Sequence, residues 1–452
     1  MSNLFFLKKE APLIFFSTVV LFAILLILNQ SYIFSFLVTI IYFIFLIAII
    51  NNKFGLYLLI LLRPCLDFFT DRTVNVGSFN INFASAFAIL ALVFSAFVIL
   101  KNVKKIKKIP LLSPWLIFLF VLIISLVTSV NITSGITELS RLLTILLLFV
   151  ASFILIEKNK DLSILIKVII ISAIVPAIVA FFQFFTRTGL TIPFEGVYNR
   201  AFGTFAHPNL LAFYLLIALT LCFVVYLTSD KRKMAIIFYG LLSLFFLAGL
   251  AFTYSRSAWI GLVVIVLILG LIRYRIFLIF AIIILAFSYF SVEQINIRIK
   301  DLRNVTPYSS IQWRFDLWED GLEYAKQKPV LGYGVGTSKE IIMKNRGPRA
   351  GSPDAHNDYL RIGIEAGVIG LIAYLILVLS LIITLLKAYA KQKRPRLKTL
   401  TFIILILVIS YSIIGFGDNI LANTALQWSL WVLLGGVLAV QKKLVIKDSE
   451  ED

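Results

Sequence analysis

The sequence predicts an all-α integral membrane protein with about 12–14 transmembrane helices and one large extracytoplasmic loop that contains short helices. Hydrophobic residues make up 60% of the 452 residues and charged residues only 14%, whereas a soluble domain is about one quarter charged. Apolar runs long enough to cross roughly 30 Å of hydrocarbon recur along the chain, and they must be helical because lipid cannot hydrogen-bond an open backbone. Basic clusters separate alternate runs, as expected of cytoplasmic loops.

Each apolar run is assigned to one span by its length and hydropathy. The predicted spans lie near residues 11–28, 31–50, 54–70, 83–100, 111–130, 139–156, 164–185, 208–227, 234–253, 258–272, 276–291, 359–386, 399–417 and 426–441. With the basic clusters inside the cell, both termini are expected to be cytoplasmic. The same rule accounts for the net charge of +19, so no nucleic-acid partner is expected.

The topology divides the chain into three parts. Residues 1–291 are the first part of the transmembrane helical bundle, and residues 292–358 are the extracytoplasmic loop with an amphipathic helix. Residues 359–452 form the last transmembrane helices and a cytoplasmic C-terminus. The candidate site residues discussed below all lie on the extracytoplasmic side of this topology.

The long loop has helical and turn patterns of its own. Apolar residues within 310–322 recur at i, i+4, i+7 and i+11, namely Ile311, Phe315, Trp318 and Leu322. This spacing predicts an amphipathic helix suited to the membrane interface. The glycines of Gly332–Gly336 predict a tight turn rather than a phosphate loop, because no strand precedes them and no GK[ST] follows. Past the loop, Arg361 and Glu365 form an i, i+4 pair that is expected to neutralise itself.

His356 closes the loop and is one of only two histidines in the chain. A neutral imidazole is the most usable general base near pH 7, so His356 is the candidate base. The other histidine, His207, precedes Pro208 at the start of a predicted span. It is either a contact at the helix end or a site residue.

Arginines at the outer face are candidates for binding an anion. Arg256 lies in the short outer turn 254–257, where the positive-inside rule does not expect a basic residue. It either extends its charge to the interface or binds an anion as a planar fork. Arg200 lies on another outer approach to a span. Asp418, beside a span end, could pair with an arginine, cap the loop or orient the histidine.

Metal and cofactor chemistry is not indicated by the motifs. The sequence has no HExxH, no Cys/His cluster, no acidic DxD pair and no nucleophile elbow, and Cys65 and Cys222 fit no metal spacing. A histidine, several arginines and an acid on one membrane face fit transfer from a phosphorylated lipid donor: arginines hold the leaving pyrophosphate, and the histidine takes a proton from the attacking hydroxyl. A transporter or flippase of a glycan-lipid or small anion is the alternative, and a structural scaffold is a third hypothesis.

An ordered series of motifs carries a family resemblance. It consists of Gly203-Thr204-Phe205-x-His207-Pro208-Asn209-Leu210, Ser255-Arg256-x-x-Trp259, Arg314-x-x-x-Trp318, Gly332-x-Gly334-x-Gly336, Ala355 to Leu360 and Glu365 to Leu371. In this order the motifs resemble the O-antigen ligase and O-antigen polymerase superfamily of membrane lipid-linked glycan transferases. The resemblance covers roughly the second half of the chain.

The resemblance implies a metal-independent inverting glycosyltransferase in a bacterial inner membrane, with its active site facing the periplasm. The donor would be a glycan on undecaprenyl pyrophosphate, and the acceptor would be lipid A-core for a ligase or a lipid-linked glycan for a polymerase. The implied catalytic residues are His356, Arg256 and Arg314. The implied substrate-binding residues are Arg200, His207, Asn357 and Asp418. No metal or cofactor is implied, and the remaining partners are membrane lipids.

Overall fold

The structure is a computed structural model. It describes residues 32–69, 73–76, 79–106, 109–192, 197–228, 233–276, 278–279, 282, 310–346 and 354–451. The predicted span 11–28 and nearly all of the predicted span 276–291 lie outside these residues.

Helices make up most of the described chain, and the all-α fold class is confirmed. In the first part the order is α1 (Tyr32–Ile50), α2 (Asn52–Leu62), β1 (Thr73–Val76), β2 (Phe79–Asn82), α3 (Phe83–Leu100), α4 (Val103–Ile106), α5 (Leu112–Ser125), α6 (Ile132–Leu155), α7 (Asn159–Ser172), α8 (Ile174–Thr186), β3 (Leu190–Ile192) and β4 (Val197–Arg200). The second part follows with α9 (Pro208–Thr228), α10 (Lys233–Phe252), α11 (Arg256–Ile272), α12 (Ser310–Gln327), α13 (Ser338–Arg346), α14 (Asp358–Lys391), α15 (Pro395–Ile414) and α16 (Thr424–Glu451).

Seven helical segments in the described part of the chain are long and apolar enough to cross a membrane. They are Phe83–Leu100, Ile132–Leu155, Asn159–Thr186, Pro208–Thr228, Asp358–Lys391, Pro395–Ile414 and Thr424–Leu444. Three shorter apolar helices are Leu112–Thr128, Ile236–Phe252 and Arg256–Ile272. The count of 12–14 spans therefore stays a prediction. Two antiparallel hairpins, β1–β2 and β3–β4, are small additions to the predicted helical architecture.

Two helix boundaries differ from the prediction for physical reasons. Helix α6 begins at Ile132, so most of the predicted outer loop 131–138 is helical. Asn131 accepts a hydrogen bond from the amide of Ser134 at 3.1 Å and caps this start. Helix α11 begins at Arg256, which shortens the predicted outer turn 254–257. Polar side chains in these first turns lower the hydropathy, so a hydropathy profile places the start of the apolar run after the start of the helix.

The chain folds as two compact units. The first comprises Met1–Ile109, Thr144–Ser172 and Trp428–Lys443. Within it α2 packs on α7, where Lys53 and Asp161 form an ion pair at 2.8 Å. The ring of Trp428 stacks on Phe87 with 6.1 Å between centroids.

The second unit comprises Pro110–Leu143, Ala173–Gln427 and Leu444–Asp452. Within it α9 packs against α10 and α15, α11 packs against α15, and α5 packs against α14. The loop helices α12 and α13 cover the start of α14 through a cluster of buried apolar side chains. This cluster contains Leu317, Tyr324, Ile341, Ile342, Ala355 and Ile364. All candidate site residues lie in this unit.

The predicted helix forms as α12, and two residues of its predicted apolar stripe lie on its exposed side; their contact with the membrane interface stays a prediction. Leu317 and Tyr324 are the buried hydrophobic residues of α12 in the described part, whereas Phe315 and Leu322 are each 53% exposed. The side chain of Ile311 lies outside the described residues. Helix α12 packs on the cluster of buried apolar side chains that it shares with α13 and α14. The face of α12 that contacts this cluster is not the face with the most regular apolar spacing.

Helix α14 is interrupted at Gly367, and the predicted glycine turn fills the interruption. Gly367 has φ +63° and ψ −164°, outside helical geometry. The carbonyls of Ile364 and Glu365 accept hydrogen bonds from Tyr333 N and Gly334 N at 2.9 and 2.8 Å. Three glycines of this turn have φ between +66° and +99°, the left-handed region that favours glycine. The turn therefore docks the loop on the first segment of α14, which follows His356.

Candidate active site

Asp418 lies at the centre of a cluster of polar side chains from separate parts of the second unit. Its side chain is 6% exposed. Oδ2 accepts hydrogen bonds from Asn209 Nδ2 at 2.6 Å and Ser257 Oγ at 3.4 Å, and it lies 3.9 Å from Arg314 Nη2. Oδ1 lies 3.5 Å from His356 Nδ1. One carboxylate therefore contacts a predicted base and a predicted arginine at the same time.

The environment of Asp418 favours its ionised form. Burial acts to raise the pKa of this carboxyl. The hydrogen bond from His356, the charge of Arg314 and the amide of Asn419 outweigh burial and hold the pKa well below its usual range. Of the three roles considered for Asp418, pairing with an arginine and orienting the histidine both fit these contacts.

The cluster forms where three helices begin. Asn209 is the second residue of α9, Ser257 is the second residue of α11, and His356 lies two residues before the start of α14. Helix N-termini carry partial positive charge and unpaired N–H groups. Together with the arginines they make this part of the unit suitable for an anion such as a phosphate group.

His356 is held in a strained backbone conformation. Its φ of +46° lies in the left-handed region, which costs a residue with a Cβ roughly 1–2 kcal/mol. Trp318 Nε1 donates to the carbonyl of Ala355 at 2.9 Å, and the rings of Trp313 and His356 meet in a T-shaped arrangement with 5.6 Å between their centroids. Because a carboxylate only accepts, the Asp418 contact places the ring proton on Nδ1 and leaves the lone pair on Nε2.

Of the three predicted arginines, one faces Asp418 directly, one is connected to it through Asn209, and one precedes Ser257, which contacts it. Arg314 faces it directly, and its side chain is 23% exposed. Arg200 is buried and is connected through Asn209, whose Oδ1 accepts from Nη2 at 2.8 Å, while Nε donates to the carbonyl of Thr253 at 2.9 Å. Arg256 is the partly buried first residue of α11, next to Ser257.

His207 caps the start of α9 with its ring. The amide of Asn209 donates to Nδ1 at 3.2 Å, which is the bond that a capping side chain makes to the second helical residue. Burial, followed by the positive charge of Arg200, lowers the pKa of His207 to about 4. The ring is therefore neutral at physiological pH.

Asn357, a predicted substrate-binding residue, uses its side chain as a helix cap. Its Oδ1 accepts from the amide of Leu360 at 3.0 Å, and its own amide donates to Asn419 Oδ1 at 3.1 Å. Contact with substrate stays a prediction for Asn357. Its neighbour Asp358 holds the segment that carries Asp418, because Asp358 Oδ2 accepts from the amide of Leu421 at 2.8 Å.

The predicted pair of Arg361 and Glu365 forms, with 3.2 Å between Nε and Oε1. It belongs to a larger buried network, since Arg361 also pairs with Glu138. Glu138 in turn binds Arg141 at 2.5 and 2.8 Å, and Arg141 Nη1 donates to the carbonyl of Leu421 at 2.7 Å. The network thus joins the first turn of α14 to the Asp418 segment from a second side.

Acidic, histidine and cysteine side chains do not come together in threes anywhere in the described residues. The polar groups of the cluster are mostly donors and cations arranged around one carboxylate. Such a set favours an anionic ligand over a cation.

The comparisons with known proteins concern part of the chain. Residues 241–375 match the family model described as O-antigen ligase. Over this segment, the chain is similar to the O-antigen ligase superfamily. A protein of Rickettsia conorii to which the name polysaccharide ligase has been given is 31% identical over 144 residues, 30% of this chain. The match spans about a third of that relative, 32% of its length.

The segment that matches the O-antigen ligase model, residues 241–375, contains Arg256, Arg314 and His356. Arg200 precedes this segment, and Asp418 follows it. Sequence reasoning missed Asn209, Ser257 and Asn419 as members of the cluster. Asn209 had a signal, because it belongs to the His207-Pro208-Asn209 segment quoted for the resemblance. Ser257 and Asn419 each follow a candidate residue directly, and only the packing of the helix starts distinguishes them from ordinary turn residues.

Proposed function

We propose that this membrane protein is a glycosyltransferase of the ligase type that moves a glycan from undecaprenyl pyrophosphate to an acceptor hydroxyl at the periplasmic face. One observation carries the proposal: Asp418 contacts both His356 and Arg314, two residues of the O-antigen ligase segment, and binds Arg200 through Asn209. A base and arginines for a leaving diphosphate are the groups that such a transfer needs.

The reaction is a displacement at the anomeric carbon. The acceptor hydroxyl oxygen forms a bond to that carbon on one face while the bond from carbon to the diphosphate oxygen breaks on the other, which inverts the configuration. Nε2 of His356 takes the hydroxyl proton, and Asp418 stabilises the resulting imidazolium through Nδ1–H. The departing undecaprenyl pyrophosphate keeps the bonding electron pair, and Arg314, Arg256 and Arg200 stabilise its charge.

The geometry favours a fixed site over a carrier for transport. Asp418 is bonded to groups from the starts of α9 and α11, and its segment is tied to Asp358 and Arg141. A carrier must open such contacts in every cycle, whereas a catalyst gains from holding them within fractions of an ångström.

The experiment compares wild type with His356→Ala and Arg314→Met in membranes supplied with an undecaprenyl-pyrophosphate-linked glycan and an acceptor. Losing the base is expected to lower the transfer rate by about 10²- to 10⁴-fold, and losing the arginine by about 10²- to 10³-fold. Lys339→Met is the matched control, since Lys339 is 62% exposed and pairs only with Asp354 at 2.7 Å among the described groups. Wild-type transfer rates in both site variants would contradict the proposal.

The acceptor separates the two subtypes. A ligase should transfer to lipid A-core and leave a second lipid-linked glycan unused. A polymerase should join two lipid-linked glycans with no lipid A-core present.

A further inference from the structure

The hydrogen bond at the start of α9 fixes which nitrogen of His207 carries a proton. The amide of Asn209 lies 3.2 Å from Nδ1. A backbone N–H can only donate, so Nδ1 must be the unprotonated nitrogen, and the proton of a neutral ring lies on Nε2. Among the described residues, Nε2 of His207 has no hydrogen-bond partner, and the side chain is only partly buried.

His356 has the opposite arrangement. Its Nδ1 faces the carboxylate of Asp418 at 3.5 Å, which places the proton on Nδ1 and the lone pair on Nε2. The two histidines of the chain therefore present different groups at Nε2, a donor on His207 and an acceptor on His356.

We propose that His207 is a neutral hydrogen-bond donor whose Nε2–H binds a phosphate oxygen of the diphosphate leaving group, and that it takes no part in proton transfer. The inference rests on the proposed function and assigns the atom and the donor role of His207 in the same site. A diphosphate is favoured because Asn209, the residue that fixes the ring, also binds Arg200 at 2.8 Å. The imidazole and the guanidinium therefore both bind Asn209 at the positive end of α9.

The surroundings of the ring keep it neutral. Burial and Arg200 on β4 disfavour a second proton, and His356 adds to this effect. Asp418 after α15 and Asp354 before α14 act in the other direction, and the net result is a lowered pKa. A neutral donor binds a phosphate oxygen without giving up its proton. The proposed transfer needs only one base, His356, for the acceptor hydroxyl, so His207 is not needed as a second base.

The tautomers can be measured without any substrate. The chain contains only two histidines, so ¹⁵N-histidine labelling of the purified full-length protein gives two ring systems, which His207→Gln and His356→Gln assign. At pH 7 we expect a proton on Nε2 of His207 and on Nδ1 of His356. A proton on Nδ1 of His207, or a doubly protonated His207, would overturn the inference.

A pair of amide substitutions tests the donor in the transfer assay. The Gln side chain places its N–H near the position of Nε2, whereas Asn reaches only the position of Nδ1. His207→Gln is expected to stay within about fivefold of wild-type kcat/KM, and His207→Asn and His207→Ala to fall roughly ten- to hundredfold, the effect of one lost hydrogen bond to a charged group. In a plot of log kcat/KM against pH, the acidic limb should keep a slope of one in His207→Gln, because His207 is proposed to take no part in proton transfer.

The outcomes separate the inference from the proposed function. Full activity of His207→Ala with an inactive His356→Ala overturns the role of His207 and leaves the transfer reaction standing. Equal activity of wild type, His207→Ala and His356→Ala overturns the proposed function itself. A His207→Gln protein that is folded, by size-exclusion chromatography and thermal unfolding, yet as weak as His207→Ala also overturns the donor role.

Discussion

Removing the charge of Asp418 while keeping its shape should slow glycan transfer strongly. In Asp418→Asn the new amide group must meet either the donors Asn209 Nδ2 and Arg314 or the Nδ1–H of His356, because only one of its two terminal atoms can accept. The carboxylate now accepts from both sides, at 2.6 Å from Asn209 and 3.5 Å from His356. The substitution therefore breaks at least one of these contacts.

The size of the effect follows from those contacts. One hydrogen bond to a charged group contributes about 1.5–3 kcal/mol, which corresponds to roughly 10- to 150-fold in rate. If the amide turns its N–H₂ towards His356, the imidazole must adopt the other tautomer, and an effect of about 10⁴-fold is known for such a reversal in a serine protease triad. The distance of 3.5 Å is long for a hydrogen bond, so we expect a fall in kcat of about 100-fold.

The assay is transfer of a radiolabelled lipid-linked glycan by detergent-solubilised protein. Asp354→Asn is the matched control: Asp354 is also an acid near His356, but it pairs with the exposed Lys339 at 2.7 Å, and its variant should stay within threefold of wild type. Asp418→Asn activity within twofold of wild type, in folded protein, would refute the orienting role of Asp418.

Three further predictions concern stability. His356→Gly should have a free energy of unfolding about 1 kcal/mol higher than that of His356→Ala, because glycine tolerates the φ of +46°. It should therefore melt at a higher temperature, and equal melting temperatures of the two variants would contradict the backbone strain at this position. Since the pKa of His207 is lowered to about 4 in the folded protein, the unfolded chain binds a proton first as the pH falls. Stability should thus be complete above about pH 6.5 and decrease by up to about 3 kcal/mol towards pH 4, and His207→Gln should flatten this part of the pH–stability curve. Arg361→Leu should cost about 3–5 kcal/mol in thermal unfolding, because it leaves the buried Glu365 carboxylate without its cation, whereas Glu138 keeps its pair with Arg141; an unchanged melting temperature would show that the network is not stabilising.

Much of the fold could be predicted because hydropathy and helix geometry act locally. The predicted spans 83–100, 208–227 and 234–253 agree with the bounds of α3, α9 and α10 within one residue. Helix starts were harder, since α6 begins with polar residues that a hydropathy profile excludes. The break in α14 could not be predicted either. Gly367 looks like any membrane-helix glycine until the backbone of Pro329 and Val330, just before the glycine turn, packs against it.

The candidate site could be predicted as a set of residues and not as a geometry. Histidines and the arginines of the predicted outer face stand out in an apolar chain because burying them needs a reason. Their partners do not stand out: Asn209 and Ser257 are ordinary near helix starts, and their contact with Asp418 depends on how α9, α11 and α15 pack. The roles of Asn357 and His207 as helix caps also needed the backbone.

Release of undecaprenyl pyrophosphate by purified protein tests the central claim most directly. The protein is supplied with an undecaprenyl-pyrophosphate-linked glycan and lipid A-core in the presence of EDTA, and free undecaprenyl pyrophosphate and new glycosidic bonds are counted together. We predict one molecule released for each bond formed by wild type, and at least 100-fold less of both by His356→Ala. Movement of the intact glycan-lipid across proteoliposomes without bond formation, or equal release by His356→Ala, would contradict the account.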